Sequence, residues 1–245
     1  MTQNVLSFVI PAYNEEDSIV DTLGTLDEVV QNSKLSYEII VVNDGSLDKT
    51  LKRAIAYASR NGHVKVVSYS PNEGKGYALR EGFMKTNGEI VIFTDGDMDI
   101  DLKLVSTYVE ALRKGDIVIA SKWHPQSIVK MPITRRLLSH CFNVLVRFLT
   151  GVKLKDTQAG LKAIKKSAFE DVFSKLAVKR FAFDVELLSV ANLYGLKVVE
   201  MPVNITMSGL FSAREVWRMF IDLLGITYRM RVTRIYKKSN SAGHE

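Results

Sequence analysis

Four aspartates, Asp95, Asp97, Asp99 and Asp101, stand at every second position in the stretch FTDGDMDID, behind the apolar residues IVI. Carboxylates this close oppose one another's ionisation, so water, a basic partner or a bound cation must hold the charge. An EF-hand loop also begins D-x-D-x-D, but it continues to Gly at its sixth position and Glu at its twelfth. Here those positions are Ile100 and Ser106, which excludes that reading. A D-x-D pair behind a buried strand remains. Its hard oxygen donors suit Mg²⁺ or Mn²⁺, ions that keep several waters and complete their shell with substrate phosphates. Helix capping accounts for Asp101, and in part for Asp99, at the start of a helix over 101–114. It leaves Asp95 and Asp97 unexplained.

Other polar clusters recur at matching places. NDGSLDKT offers Asp44 in a turn made by Gly45, with Ser46 or Asp48 capping the helix that follows. In NEGKGYALREG, Gly74, Lys75 and Gly76 form a loop-to-helix junction whose amides and lysine could hold an anion. The spacing is not that of a P-loop.

These clusters follow short apolar runs. VLSFVI, YEIIVV, VKVVSY, EIVIFT and DIVIA read as buried strands, and 15–31, 46–61, 74–87 and 101–114 read as helices between them. Alternation of this kind predicts a mostly parallel sheet covered on both faces, with ligands bound at the carboxyl ends of its strands. Beyond it, 133–150 is apolar with interspersed arginines, 182–195 reads as a helix and KVVEMPVNI as a late strand.

The 245 residues, 47% hydrophobic and 24% charged, are those of an ordinary globular protein. One cysteine, Cys141, excludes an internal disulfide and suits a reducing, cytoplasmic setting. The first apolar run is closed by Pro11 and reads as a core strand, not a signal peptide. No stretch reaches the roughly eighteen apolar residues of a spanning helix. The net charge of +6 sits at the end of the chain: residues 210–238 hold seven basic side chains against two acidic ones. Within 210–235, Arg214, Glu215, Arg218, Asp222 and Arg229 share one helical side and Val216, Trp217, Phe220, Ile221, Leu223 and Leu224 the other. Arg231 and Arg234 break the pattern, so the helix should kink or end near Gly225 to Arg229. Such a helix suits an anionic membrane surface, with docking on the domain's own core as the alternative. A nucleic-acid partner is excluded, because the aspartate loop would repel a phosphate backbone.

FVIPAYNEE, VVNDGSLDKT, NEGKGYALREG, FTDGDMD and DTQAGLKAIKKSAF, in that order, resemble the family 2 glycosyltransferases. The resemblance spans roughly residues 5–200. It implies an inverting enzyme with a GT-A, Rossmann-like α/β fold: a mostly parallel central sheet flanked by helices, occupying 1–208, with an amphipathic basic tail over 209–245. PITRRLLSHCFNVLVRFLTGVKLKDTQAG and KRFAFDVELL are similar to the dolichyl- and polyprenyl-phosphate hexose synthases of that family, and GKGYALREG and FAFDVELL lean towards the glucose enzymes. The Q-x-x-R-W motif of processive polysaccharide synthases is absent from the sequence.

Carried over by position, the resemblance implies that Pro11, Tyr13, Glu15, Asp44, Lys75 and Asp95 bind the nucleotide-sugar. Asp95, Asp97 and Asp99 would hold the metal, Mg²⁺ or Mn²⁺. Lys122, Arg135 and Ser139 would receive the acceptor phosphate, and Asp184 and Glu186 would face the donor sugar. Asp97, Arg135 and Asp184 are the catalytic candidates, Asp184 as an orienting group rather than an essential base. Two departures stand out: Asn43 replaces the first Asp of the usual D-D-G-S, and Lys122 replaces a usual Arg, exchanging bidentate recognition for a point charge. The implied partners are a nucleotide-sugar (UDP-glucose before GDP-mannose), a polyprenyl or dolichyl phosphate, and the cytoplasmic face of a membrane. A soluble or glycan acceptor is the alternative.

Overall fold

The computed structural model describes residues 6–31, 35–95, 104–158, 160–207 and 212–237. The β-branched runs form the sheet. β1 (Leu6–Ala12), β2 (Tyr37–Asp44), β3 (Val64–Tyr69) and β4 (Ile90–Phe93) lie parallel, with β1 between β2 and β4. Between them run α1 (Ile19–Gln31), α2 (Thr50–Ala58) and α3 (Lys75–Phe83). Every residue of β2 is buried, as a strand covered on both faces requires.

α4 (Val105–Ala111) leads through a 3₁₀ turn, Leu112–Lys114, into β5 (Ile117–Ala120). After β6 (Ile128–Lys130) come α5 (Ile133–Thr150), β7 (Lys162–Lys165), α6 (Lys166–Lys175) and α7 (Phe183–Leu193). β8 (Val198–Met201), β9 (Asn204–Thr206) and α8 (Ala213–Tyr228) complete the chain. The seven-stranded sheet has the order β3-β2-β1-β4-β7-β5-β8, and β6 pairs with β9 beside it. β7 is antiparallel to both of its neighbours. Its sequence, KAIK, is too short and too polar to announce a central strand. It is accommodated because the Lys162 ammonium lies 3.0 Å from the Asp184 carboxylate, so a buried lysine is paired.

The predicted helices begin later than expected. The Glu15 carbonyl receives the Ile19 amide at 2.9 Å, and 15–18 is a turn. α2 starts at Thr50, whose amide Asp48 accepts at 2.9 Å, while the other Asp48 oxygen holds the Glu16 amide at 3.1 Å. The polar loops after β1 and β2 are therefore braced against each other.

A stack of rings joins the layers behind the carboxyl ends. Phe173 of α6 lies 3.8 Å from Phe83 of α3 and 5.6 Å from Phe93 of β4, centroid to centroid, with Phe183 of α7 at its edge. Phe93 stands two residues before Asp95, and Phe183 opens α7, so the stack fixes the approach to both segments.

The amphipathic end of the chain packs on the domain. α8 contacts α5 and α7, with Met219, Leu223 and Ile226 buried. Past Tyr228 it winds into a π turn, Arg229–Thr233, where the helical pattern was expected to break. Tyr236 is then buried, and its hydroxyl donates to Glu186. Val216, Trp217, Ile221, Leu224 and Tyr228 remain exposed on the outer side.

Candidate active site

The carboxyl ends of β1 to β4 open into a cavity of about 560 Å³. Its walls include Pro11, Tyr13 and Glu15 after β1, Asp44 at the end of β2, Lys75 at the start of α3 and Asp95 after β4. All six residues expected to bind a nucleotide-sugar meet there. Asn72, Gly74, Arg180, Phe181, Glu215 and Arg218 complete the lining. Of these, only Gly74 was marked in the sequence for binding, as part of a junction able to hold an anion, and the last two come from α8.

Asp44 is 2% exposed and its carboxylate is well occupied. It accepts the amides of Glu73 (2.8 Å) and Gly74 (2.9 Å) and the side-chain amide of Asn72 (2.9 Å). It therefore shapes the loop after β3, and only its remaining lone pairs can face a ligand. Gly45 permits this closeness: its φ is +66°, and a Cβ there would stand 2.6 Å from the Asn72 nitrogen. Burial, then the Asp44 charge, push the neighbouring Tyr69 phenol well above its ordinary pKa. The α3 N-terminus is less open to anions than its glycines suggested. The Gly74 amide is taken by Asp44, and the Tyr77 amide donates to the Lys179 carbonyl at 3.1 Å.

Lys75 and Asp95 form an ion pair at 2.5 Å, both partly exposed to the cavity. Asp97 and Asp99 lie outside the described residues, and among the described residues no group of three potential ligands is assembled for a metal. Asp95 nonetheless has the chemistry such an ion asks for. It is a hard carboxylate on the wall of a polar cavity, and magnesium-type sites need only one or two of these besides substrate phosphates.

The remaining candidates stand apart from this cavity. Trp123, after Lys122, has its ring 5.5 Å from His140, and the Arg136 guanidinium sits over it at 5.7 Å. That packing brings the loop after β5 onto the first half of α5, where Arg135 is half-buried and Ser139 is 9% exposed. Lys122 does not present its charge to an acceptor. It is buried, 2.7 Å from Asp156, and donates to the Gln158 carbonyl at 2.9 Å, so its place is structural. Asp156 also accepts the Lys122 amide at 2.9 Å, and Thr157 donates to Asn143 of α5 at 2.9 Å. The DTQ segment is thus a buried polar anchor.

Asp184 was expected to face the donor sugar. It pairs instead with Lys162, while Lys179 pairs with Glu73 at 2.6 Å. Glu186 does not face the cavity either. It is fully buried and accepts the amides of Ala177 (2.9 Å) and Val178 (2.8 Å), the Tyr236 hydroxyl and Arg229 (3.1 Å). It ties the loop before α7 to the end of the chain. A lysine inside a strand run was the only sequence signal for the Lys162 pair.

A mostly parallel sheet interrupted by one antiparallel strand, with a polar cavity at its carboxyl edge, is the architecture of the GT-A fold. The family model described as glycosyl transferase family 2 matches residues 7–173, and the chain belongs to that family. The human dolichyl-phosphate beta-glucosyltransferase is 35% identical over 221 residues, covering 82% of this chain and 67% of that protein. The Dictyostelium discoideum protein of the same name is 31% identical over 82% of this chain and 66% of its own length. Among solved structures, glucosyl-3-phosphoglycerate synthase of Mycobacterium tuberculosis in complex with UDP superposes with a TM-score of 0.70 at 22% identity, covering 98% of this chain and 83% of that one. The same enzyme with Mn²⁺, UDP-glucose and phosphoglyceric acid gives 0.68 at 21% identity, covering 98% and 83%.

Proposed function

We propose that the protein transfers glucose from UDP-glucose to a dolichyl or polyprenyl phosphate, with inversion, at the cytoplasmic face of a membrane. One observation carries the reading: the six residues implied to bind a nucleotide-sugar line one cavity, in a chain 35% identical to a dolichyl-phosphate beta-glucosyltransferase.

The exposed Tyr13 offers an amphipathic ring to the base and ribose, and Pro11 and Glu15 share its wall. Lys75 balances the diphosphate. Asp95, with Asp97 and Asp99, would hold Mg²⁺ or Mn²⁺, which supplies neutralisation of the charge that develops on the departing diphosphate. An oxygen of the acceptor phosphate forms the new bond to the anomeric carbon while the bond to the UDP oxygen breaks. That nucleophile is already an anion at neutral pH, so it needs orientation more than proton removal. Arg135 and Ser139, four residues apart on α5, are the groups assigned to orient it. Asp184, held by Lys162 at 3.0 Å, is assigned an orienting role and takes no proton.

Membrane association rests on exposed apolar side chains of two packed helices. α5 leaves Ile133, Leu137, Val144 and Phe148 exposed, and α8 leaves Trp217, Ile221 and Leu224. Arg136, Arg147 and Arg214 are exposed on the same helices, and Arg231, exposed in the π turn after α8, donates to the Phe148 carbonyl at 3.4 Å. Among the described residues no helix is long and apolar enough to cross a bilayer.

With Mg²⁺ or Mn²⁺, the purified protein should release UDP from UDP-glucose and form a glucosyl lipid when given a short polyprenyl phosphate. GDP-mannose should be used far less well, and a chelator should stop the reaction. Equal or better use of GDP-mannose would overturn the donor assignment, and turnover unaffected by the chelator would overturn the metal.

A further inference from the structure

Among the described residues that line the cavity, four carboxylates face three cations. Glu15, Asp44, Asp95 and Glu215 line it, and Lys75 is engaged with Asp95. Lys122 is committed to Asp156 elsewhere. Phosphate oxygens entering such a space call for guanidinium donors, which bind them with charge-assisted, often bidentate, hydrogen bonds. Arg180 and Arg218 line the cavity and are exposed. Among the described residues neither guanidinium has a carboxylate within ion-pair distance, although the Arg180 charge acts on Asp222 and the Arg218 charge on Glu215 from further away.

Both arginines are held in place by their backbones. The residue before Arg180 is fixed twice, through the Lys179 carbonyl on the Tyr77 amide (3.1 Å) and the Lys179 ammonium on Glu73 (2.6 Å). Gly74 gives the room for this: a Cβ there would lie 2.5 Å from the Lys179 oxygen and 3.0 Å from Arg180 Cγ. The Arg180 stem therefore crosses the backbone one residue before Lys75. Arg218 sits one turn into α8, whose start is set by a capping box. In that box Glu215 accepts the Ser212 amide at 2.8 Å and hydroxyl at 2.9 Å. The acid three residues before Arg218 is thereby occupied, and Met219 and Leu223 anchor the helix from below.

Resting on the reading of the cavity as a nucleotide-sugar site, we propose that Arg180 and Arg218 are its anion-binding residues and take phosphate oxygens of the substrates. Both fall beyond residues 7–173, so a loop and a helix outside the family-matched segment complete the site. The basic end of the chain then has a role at the reaction centre, besides any role at a surface. The same helix offers Trp217, Ile221 and Leu224 to the outside, which places a lipid-bound acceptor and the cavity mouth on adjoining sides of α8.

The test compares wild type with Arg180→Ala, Arg218→Ala, Arg218→Lys and, as a remote control, Arg113→Ala. UDP binding with Mn²⁺ is measured by calorimetry, and KM for a polyprenyl phosphate in detergent by turnover. Thermal melting checks that the exposed substitutions leave the fold intact. An increase of about tenfold or more in the UDP Kd for both alanine variants, partly restored by Arg218→Lys, supports contact with the donor diphosphate. Unchanged UDP binding with about a tenfold rise in KM for the lipid phosphate supports contact with the acceptor instead. Both constants staying within about twofold of wild type and of the control overturn the proposal alone. If wild type itself binds no UDP, the nucleotide-sugar reading fails and takes the proposal with it.

Discussion

At the scale of single residues, burial separates groups that bind from groups that build. Asp95 and Lys75 are partly exposed in the cavity and paired with each other, so a substrate can redistribute their charge. Lys122 and Asp156, 7% and 0% exposed at their side chains, form a closed pair. Breaking such a pair leaves an uncompensated buried charge and costs about 3–5 kcal/mol. Lys122→Met should therefore lower stability in urea by roughly that amount, while KM for the lipid phosphate in the folded enzyme stays unchanged. A raised KM at unchanged stability would return Lys122 to the acceptor site. Glu186 is the same kind of group. Its oxygens are shared among two amides, a phenol and a guanidinium, and a carboxylate satisfied so fully has little left to offer a sugar.

At the scale of elements, β1, β2 and β4 were legible because strands buried on both faces read as unbroken apolar runs, whereas β3, expected to be buried as well, is the edge strand and only Val64 of it is buried; the loops at their carboxyl ends hold the polar clusters. The six cavity-lining residues expected to bind a nucleotide-sugar were legible for that reason and through the resemblance. β7 was not, since its lysine is buried only by virtue of Asp184, some twenty residues on, and pairing across such a distance leaves no local pattern. The partners of Asp184 and Glu186 were not legible for a related reason: partner choice is decided by tertiary packing. In the tail, amphipathicity located the helix but not its two uses. α8 buries Met219, Leu223 and Ile226 and still exposes Trp217, Ile221 and Leu224. Trp217→Ser with Ile221→Ser should loosen the protein from anionic vesicles in a sedimentation assay and leave UDP binding unchanged. Vesicle binding equal to wild type would mean that the outer face of α8 has no membrane role.

Across the whole molecule, one edge of the sheet gathers the chemistry and one end of the chain encloses it. The stacked rings of Phe83, Phe93, Phe173 and Phe183 fix the end of β4, two residues before Asp95, relative to α7. Glu186 and Tyr236 then tie α7 to the tail that delivers Arg218. On the proposed reading, a domain built in this way would hold an anionic donor in the polar pocket, with the exposed apolar side chains of α5 and α8 offered to a lipid-linked acceptor. The central claim is that the acceptor is a lipid phosphate and not a soluble one. The most direct measurement offers labelled UDP-glucose with Mn²⁺ to polyprenyl phosphate in vesicles and 3-phosphoglycerate in solution together, then divides the label between organic and aqueous phases. The account predicts label in the organic phase, absent with Asp95→Asn. Label found only in a water-soluble glucosylated product would contradict it.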